Sequence, residues 1–279
     1  MKVRFQYDGN SPEKYSWAFG IMSRRPDSLY FIKKGRIKNT AIVEHSPWGK
    51  MFLYEYRWDL KRIVLSPFRR SGPARIWKYS VALRDIGVAQ IQPVFWIEKK
   101  RFVFTFHTIL GFRFEESRTL CHHLNNQSPE TVFSLLRRVT DAISTLHSSG
   151  FLHKDLKWNN ICVRDDDIGK IVFIDLEKIR RCRSAILLAF DFARFILDGI
   201  VREIPEPWIE PLVDRYLEQR FGQVKPSVKR MIRIRLLQKR KKYVLKRKHY
   251  APIQMKGPVP DTGRYPSEEK LPYRLKSME

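Results

Sequence analysis

Four polar side chains between positions 153 and 175 have the types and the spacing that phosphoryl transfer requires. His153 and Asp155 open the stretch, and Asn160 follows after four intervening residues. The apolar run 171–174 then ends at Asp175. In phosphoryl transfer from ATP, one carboxylate lies near the attacking hydroxyl, while an amide and a second carboxylate hold Mg²⁺ against the phosphates. The pattern therefore predicts an ATP- and Mg²⁺-dependent phosphotransferase site.

The same spacing is that of the protein-kinase catalytic loop, H-R-D-L-x-x-x-N, followed by D-F-G. Here Lys154 takes the place of the Arg, and Leu176-Glu177 takes the place of Phe-Gly. A polar turn between two strands is the alternative interpretation, and a lone His-x-Asp would favour it. The joint spacing of all four residues favours the kinase-like fold.

The composition indicates a folded, strongly basic protein. Of its 279 residues, 43% are hydrophobic and 13% are aromatic, which is typical of a chain with a packed core. The formal net charge of +25 attracts polyanions such as nucleic acid, anionic lipid headgroups or a phosphorylated substrate. Charge alone does not choose among these partners.

Several features predict a cytoplasmic location. The cysteines form neither a paired framework nor a CxxC motif, which fits a reducing compartment; they are Cys121, Cys162 and Cys182. Polar residues follow the first four positions, so we expect no secretory signal. The most apolar segment, 185–197, is interrupted by Asp191 and Arg194 and is expected to be a buried helix rather than a membrane span.

The first half of the chain predicts an antiparallel sheet with one helix. Residues 1–28 show no strong period and receive no assignment. The predicted strands cover residues 29–32, 40–43, 51–56, 94–97 and 102–109. The predicted helix covers 69–87, after Ser71-Gly72-Pro73. No G-x-G-x-x-G occurs, so a phosphate-binding loop would depend on Gly35.

The second half predicts helices around the catalytic loop. Ser128-Pro129-Glu130 begins a helix whose apolar face runs from Val132 to Leu146. Segments 161–163 and 171–174 form a hairpin, and 185–199 is mostly apolar and helical. Asp191 on that helix is expected either to accept hydrogen bonds from the His153 loop or to pair with Arg194.

Residues 225–248 contain 12 Lys or Arg and no acid. Apolar residues lie among them partly at helical spacing, which predicts a basic amphipathic helix on an anionic membrane surface. The residues expected to form this surface are Lys229, Arg230, Arg233, Lys239 and Arg240. Nucleic-acid binding and an ordinary packed helix remain the alternatives.

With these motifs identified, residues from about Tyr30 to Arg240 resemble the lipopolysaccharide kinase family, bacterial enzymes that phosphorylate Kdo or heptose sugars of the lipid A–core. The motifs that carry the resemblance are Tyr56-Arg57-Trp58, the helix 74–88, Phe151 to Leu156, Ile174 to Glu177, and Asp191 to Arg194. Asp-Leu in place of Asp-Phe-Gly and the basic C-terminal helix favour this branch of kinase-like folds.

The resemblance implies roles for individual residues. Asp155 would orient the attacking hydroxyl or accept its proton, and Lys157 would steady the γ-phosphate. Asn160 and Asp175 would bind Mg²⁺. His153 and Asp191 would support the loop. The residues expected to bind ATP are Thr105 and His107, in a hinge against adenine at 105–109, and Lys33, Lys34, Lys50 or Lys61, as a substitute cation for the phosphates.

One departure from the family bears on activity. The ATP-anchoring Lys expected on strand 51–56 and its acidic partner on the following helix are absent, since Tyr54-Glu55 and Ile76 or Lys78 stand there. A charge-swapped pair of Glu55 with Lys78 would hold the helix but would place no cation on the phosphates. A pseudokinase scaffold therefore remains an alternative to an active kinase.

We accordingly expect an α+β, protein-kinase-like, two-lobed fold with a small antiparallel β lobe carrying one helix and a larger, mainly helical lobe. The boundaries are about 1–110, 111–224 and, for the basic helix, 225–250, with a Pro/Lys-rich tail over 251–279. The expected function is phosphorylation of a Kdo or heptose hydroxyl at the cytoplasmic face of the inner membrane. A kinase for protein or small-molecule hydroxyls is a further alternative, and nucleic acid is disfavoured because no binding motif accompanies the charge.

Overall fold

The computed structural model describes residues 2–7, 11–23, 29–35, 38–68, 71–164, 170–245 and 251–257. The chain divides into two compact units. The first comprises Met1–Arg118, His153–Asp155 and Asn160–Arg181. The second comprises Thr119–Leu152, Leu156–Asn159 and Cys182–Glu279. The residues predicted to act on the nucleotide thus fall mostly in the first unit.

A six-stranded antiparallel sheet forms the body of the first unit, in the order β1-β5-β6-β4-β3-β2. Its strands are β1 (Lys2–Tyr7), β2 (Leu29–Lys33), β3 (Lys38–Val43), β4 (Met51–Arg57), β5 (Pro93–Arg101) and β6 (Phe104–Arg113). Burial alternates along β3, as expected for a strand with one covered face. The five strands predicted from the sequence are confirmed, and β1 comes from the N-terminal segment that had no assignment.

Helices lie against both faces of this sheet. On one face, Ala18 and Ile21 of α1 (Pro12–Ser23) join a core with Met51, Leu53 and Phe95. On the other lies α3 (Gly72–Arg84), which begins where the Ser71 hydroxyl accepts a hydrogen bond from the Ala74 amide at 3.2 Å. α3 is the one helix expected in this region. The structure adds α1 and the short α2 (Leu60–Leu65).

A smaller, three-stranded sheet has the order β10-β9-β7. Its strands are β7 (Ser117–Thr119), β9 (Ile161–Arg164) and β10 (Ile171–Phe173). The antiparallel pairing of β9 with β10 confirms the predicted hairpin, and the predicted turn at 165–169 lies outside the described residues. The Phe173 amide donates to the Ala89 carbonyl at 3.2 Å, so this hairpin is fixed beside the chain that follows α3. The strand β11 (Arg180–Arg181) ends the first unit.

Five helices form the second unit, together with strand β8 (Phe151–Leu152). They are α4 (Leu120–Leu124), α5 (Pro129–Ser148), α6 (Ala185–Val201), α7 (Ile209–Phe221) and α8 (Pro226–Leu245). The Ser128 hydroxyl caps α5 by accepting from the Thr131 amide at 3.3 Å, and the apolar face of α5 is buried as predicted. Within the described part of the chain, no helix combines the length and the apolar character needed to cross a bilayer.

Part of the C-terminal tail is attached to the second unit. The amide of Ile253 donates to the Arg202 carbonyl at 3.0 Å, and the Asn126 amide donates to the Gln254 carbonyl at 2.7 Å. Ile253 is only 7% exposed. Residues 251–257 therefore contribute to packing here, while the domain boundaries proposed from the sequence stay a prediction.

Candidate active site

His153 connects the catalytic loop to the segment that precedes Asp175. Its fully buried ring donates from Nε2 to the Ile174 carbonyl at 3.0 Å, and its Nδ1 accepts from the Asp155 amide at 3.3 Å. One nitrogen donates and the other accepts, so the ring is the neutral Nε2–H tautomer. His153 thereby positions Asp155 relative to the end of β10 without taking part in the chemistry itself.

Asp155 is nearly buried, with 3% of its surface exposed. Lys178 donates to its Oδ2 atom at 3.1 Å. Its main-chain carbonyl accepts from Nδ2 of Asn160 at 2.8 Å. The preceding Lys154 has a φ of 68°, in the left-handed region that costs an ordinary residue about 1 kcal/mol. The loop therefore holds the Asp155 carboxylate in a defined position at some local conformational cost.

One main-chain hydrogen bond connects the segments that carry Asn160 and Asp175, the two residues predicted to bind magnesium. The Ile174 amide donates to the Asn160 carbonyl at 3.0 Å, which places Asp175 directly beyond this contact. Because Asn160 donates through Nδ2, its Oδ1 atom is the one suited to bind a cation. Mg²⁺ in kinases takes a small number of protein oxygens together with phosphate oxygens. An amide oxygen and a carboxylate are ligand types that fit that requirement.

Asp175 also adopts a left-handed backbone, with φ 57° and ψ 50°. Residues in this region cluster at functional sites because the surrounding structure must maintain them. The turn directs Asp175 to the wall of a cavity of about 460 Å³ within the first unit. Two positions, Lys154 and Asp175, thus carry unusual backbone conformations on either side of the same site.

This cavity has the size of a small-molecule site. Its walls are mostly apolar and come from β4, α3, the end of β6 and the β9–β10 hairpin. They include Phe52, Tyr54, Ile76, Ile91, the segment 112–117, Cys162 and the segment 173–177. Apolar and aromatic walls suit a nucleobase, and Asp175 lies in the same wall. Burial raises the pKa of the Cys162 thiol to about 11, so this cysteine stays protonated at neutral pH.

Glu177 lines the cavity and forms an ion pair with Lys38, whose own side chain is not part of the cavity wall. Lys38 Nζ lies 2.6 Å from Glu177 Oε1, and the Tyr56 hydroxyl donates to the same oxygen at 2.7 Å. Arg75 of α3 donates to the Glu177 main-chain carbonyl at 2.6 Å. Burial by itself would raise the pKa of the Glu177 carboxyl, but Lys38 and the Tyr56 hydroxyl hold it below the ordinary value. Glu177 is therefore a charged group with three partners from three different elements.

The residues expected to bind ATP lie elsewhere. Thr105 is buried, with its amide donating to the Ser66 hydroxyl at 2.8 Å, and His107 lies 3.0 Å from Glu55. Lys34 and Lys61 are exposed, and the side chain of Lys33 lies outside the described residues. None of the four described side chains lines the cavity. Strand β6 continues to Arg113, so residues 112–117 line the cavity. Residues 105–109, which the sequence predicted as the hinge, do not.

Glu55 and Lys78 do not form the charge-swapped pair considered from the sequence. The Glu55 carboxylate accepts from His107 and, at 2.8 Å, from Nδ2 of Asn39. The His107 hydrogen bond, against the opposing effect of burial, lowers the Glu55 pKa to about 2. Lys78 is exposed on α3, 5.9 Å from the Tyr79 ring.

Two predicted residues belong to the second unit. Lys157 is partly buried, in a segment fixed by Trp158, whose amide donates to Asp198 at 2.8 Å and whose indole donates to the Phe195 carbonyl at 3.0 Å. Asp191 is buried, with Oδ2 3.5 Å from His147 Nε2. Asp198, two turns after Asp191 on α6, is thus a support of the loop segment that the sequence analysis did not identify.

Three of the five residues predicted to form a basic surface on α8 pair with acids that precede this helix in the chain. Lys229 lies 3.0 Å from Glu210 and 2.5 Å from Asp214, and Arg233 forms a bidentate pair with Glu210 at 2.7 and 2.8 Å. Arg240 lies 3.2 Å from Glu206. The side of α8 that carries these pairs also buries Ile232 and Leu236. Of the five predicted surface residues, Arg230 is exposed and Lys239 is partly buried, so the helix is a packed element as well as a basic one.

Comparisons with known proteins agree with this site. The model of the lipopolysaccharide kinase (Kdo/WaaP) family matches residues 58–186, which contain the catalytic loop, Asn160 and Asp175. Among solved structures, the chain is similar to WaaP in complex with acyl carrier protein, with a TM-score of 0.61 and 15% sequence identity over 88% of this chain and 99% of that chain. No curated protein matches the sequence. The structural similarity confirms the kinase-like fold predicted from the motifs, and Lys38 lies outside the matched segment.

Proposed function

Because the model of the lipopolysaccharide kinase (Kdo/WaaP) family matches residues 58–186, we propose that the chain transfers the γ-phosphate of ATP to a Kdo or heptose hydroxyl of the lipopolysaccharide inner core. The observation that carries the proposal is the arrangement of Asp155, Asn160 and Asp175 around contacts of 2.8 and 3.0 Å, with Asp175 in the wall of a nucleotide-sized cavity.

Each of these residues has a role in the proposed reaction. The sugar oxygen forms a bond to the γ-phosphorus while the bond from that phosphorus to the β–γ bridging oxygen breaks, and ADP leaves. Asp155 accepts the proton of the sugar hydroxyl, and Lys178 keeps its carboxylate oriented. Asn160 and Asp175 would hold Mg²⁺, which would neutralise charge on the phosphates. The resemblance to the family implies that Lys157 steadies the γ-phosphate.

The direct test is transfer of labelled phosphate from ATP to deacylated lipopolysaccharide core by the purified full chain with Mg²⁺. Mass spectrometry of the product then identifies the sugar and the hydroxyl. A phosphorylated Kdo or heptose supports the proposal. Transfer only to a protein or a small alcohol would show that the chain is a kinase for a different class of acceptor.

A pseudokinase is the second candidate, and one observation favours it. Tyr54 and Tyr56 occupy the strand on which the ATP-anchoring lysine is expected, and Tyr54 lines the cavity. Burial first, and then the charge of Asp175, raise the pKa of the Tyr54 hydroxyl, so the side chain stays neutral, and a tyrosine does not replace the positive charge of a lysine. ATP binding without transfer to any hydroxyl acceptor would support this candidate.

The glycolipid acceptor also leads us to propose attachment to the cytoplasmic face of the inner membrane. Support comes from the net charge of +25 and from exposed apolar side chains beside the cations of α8, Ile234 at 37% and Leu237 at 71%. Vesicles containing anionic lipid should sediment the chain at low salt and release it at high salt. Equal binding to neutral vesicles at either salt would contradict this attachment.

A further inference from the structure

A kinase cavity needs a cation against the ATP phosphates, and β4 does not provide one. In protein kinases a lysine on the corresponding strand contacts the phosphates and pairs with an acid on the following helix. Here the side chains of β4 beside the cavity are aromatic, namely Phe52 and Tyr54. The structure offers a cation from the neighbouring strand instead.

Lys38 begins β3 and lies directly opposite Tyr56 of β4. Directly paired residues of antiparallel strands project from the same face of a sheet. Lys38 therefore lies on the face of Tyr54 and Tyr56, where its Nζ atom is 3.6 Å from the centre of the Tyr54 ring. Lys38 follows the β2–β3 connection that contains Gly35, the residue on which any phosphate-binding loop would depend according to the sequence.

Glu177 takes the position of the acidic partner. It comes two residues after Asp175, and both line the cavity. Its carboxylate binds Lys38 at 2.6 Å, and its carbonyl accepts from Arg75 of α3 at 2.6 Å. Glu177 thus connects strand β3 and helix α3 to the segment that follows Asp175. The acid of this arrangement comes from that segment, and α3 contributes Arg75 in place of an acid.

We propose that Lys38 and Glu177 replace the missing ion pair, with Lys38 binding the α- and β-phosphates of the nucleotide and Glu177 holding Lys38 in place. The inference rests on the proposed kinase function and deepens it. An ammonium group has three N–H donors. Glu177 takes one and the Tyr54 ring faces the cation, which leaves a donor for a phosphate oxygen. The side chain is 28% exposed, so a ligand can reach it.

A purely structural ion pair is the competing explanation, and ligand selectivity separates the two. We would measure dissociation constants of ATP, ADP and adenosine with Mg²⁺ by calorimetry, for the full chain and for Lys38→Met. If Lys38 contacts the phosphates, Lys38→Met should lower the affinity for ATP and ADP at least 10-fold and the affinity for adenosine less than 3-fold. This is the loss expected when a charge-assisted hydrogen bond is removed. Glu177→Gln should weaken ATP binding several-fold, because the Glu177 side chain no longer holds Lys38 in place.

Lys100→Met is the matched control. Lys100 is 24% exposed and pairs with Glu98 at 3.4 Å in the same sheet, and Glu98, unlike Glu177, does not line this cavity. Lys100→Met should lower the melting temperature without changing the ATP:adenosine selectivity. Equal losses for ATP and adenosine in Lys38→Met, or unchanged ATP binding, would overturn the inference. Binding of ATP by the unmodified chain without transfer to a sugar would reject the proposed function while leaving Lys38 as the phosphate contact. No nucleotide binding at all would reject both.

Discussion

Lys178 Nζ lies 3.1 Å from Asp155 Oδ2, so the residue three positions after Asp175 contacts the carboxylate of the catalytic loop. The side chain of Lys178 is 60% exposed, whereas that of Asp155 is 5% exposed. The exposed side chain of Lys178 therefore contacts the buried carboxylate of Asp155. This contact joins the two acidic residues of the proposed reaction through one short segment.

We expect Lys178→Met to lower kcat about 10-fold, because the Asp155 carboxylate loses the group that orients it. The KM for ATP should change little, since Lys178 does not line the cavity. Lys178→Arg keeps the charge and should retain most of the activity. Steady-state kinetics of both variants tests this. An unchanged kcat in Lys178→Met would identify the contact as an exposed ion pair without a role in transfer.

The hydrogen bond from His107 gives Glu55 a pH-dependent effect on stability. Its pKa of about 2 in the folded chain lies below the ordinary value of 4.5. A lowered pKa stabilises the folded state above the unfolded-state value, and the contribution disappears as the pH falls from about 4.5 towards about 2. At pH 7, Glu55→Gln should lower the free energy of unfolding by about 1–2 kcal/mol after allowance for solvent screening.

Chemical denaturation of the unmodified chain and of Glu55→Gln at pH 7 and at pH 3 checks this effect. The difference in free energy should be smaller at pH 3. Glu44→Gln is a suitable control, because Glu44 pairs with Lys50 at 3.1 Å with both side chains 40% exposed. A difference between the unmodified chain and Glu55→Gln that does not depend on pH would contradict the account.

Gly111 is required by the close packing of β6 against its neighbours. A Cβ atom at this position would lie 2.7 Å from Met51 Cε and would also clash with the Phe95 ring. Gly111→Ala should therefore lower the free energy of unfolding by about 1–3 kcal/mol. Gly20→Ala is the control, because nothing lies within 4 Å of its Cβ and α1 should gain helix propensity. Equal stability of the two variants would contradict the packing argument.

Local spacing was enough to predict the catalytic loop. His153, Asp155, Asn160 and Asp175 lie within one short stretch, and the structure brings them together through contacts inside that stretch. The amphipathic helix after Ser128 was predictable for the same reason. Both depend on neighbours in the sequence.

Contacts between distant residues were not predictable. Lys38 and Glu177 are 139 positions apart, and their pairing depends on which strand lies next to the segment that follows Asp175. The acids that pair with α8 lie on the preceding helix, so a count within residues 225–248 missed them. The residues predicted as the hinge, 105–109, do not line the cavity, because a strand's end depends on its partner and β5 pairs with β6 as far as Phe112.

The central claim is that Asp155 and Asp175 perform phosphate transfer from ATP. The most direct measurement is transfer to deacylated lipopolysaccharide core by the unmodified chain, Asp155→Asn and Asp175→Asn, with melting temperatures recorded for all three. Asn tolerates the left-handed backbone at position 175, so the fold should survive. We predict transfer by the unmodified chain and a loss on the order of 10²–10⁴-fold in each variant. Transfer at the unmodified rate in both folded variants would contradict the account.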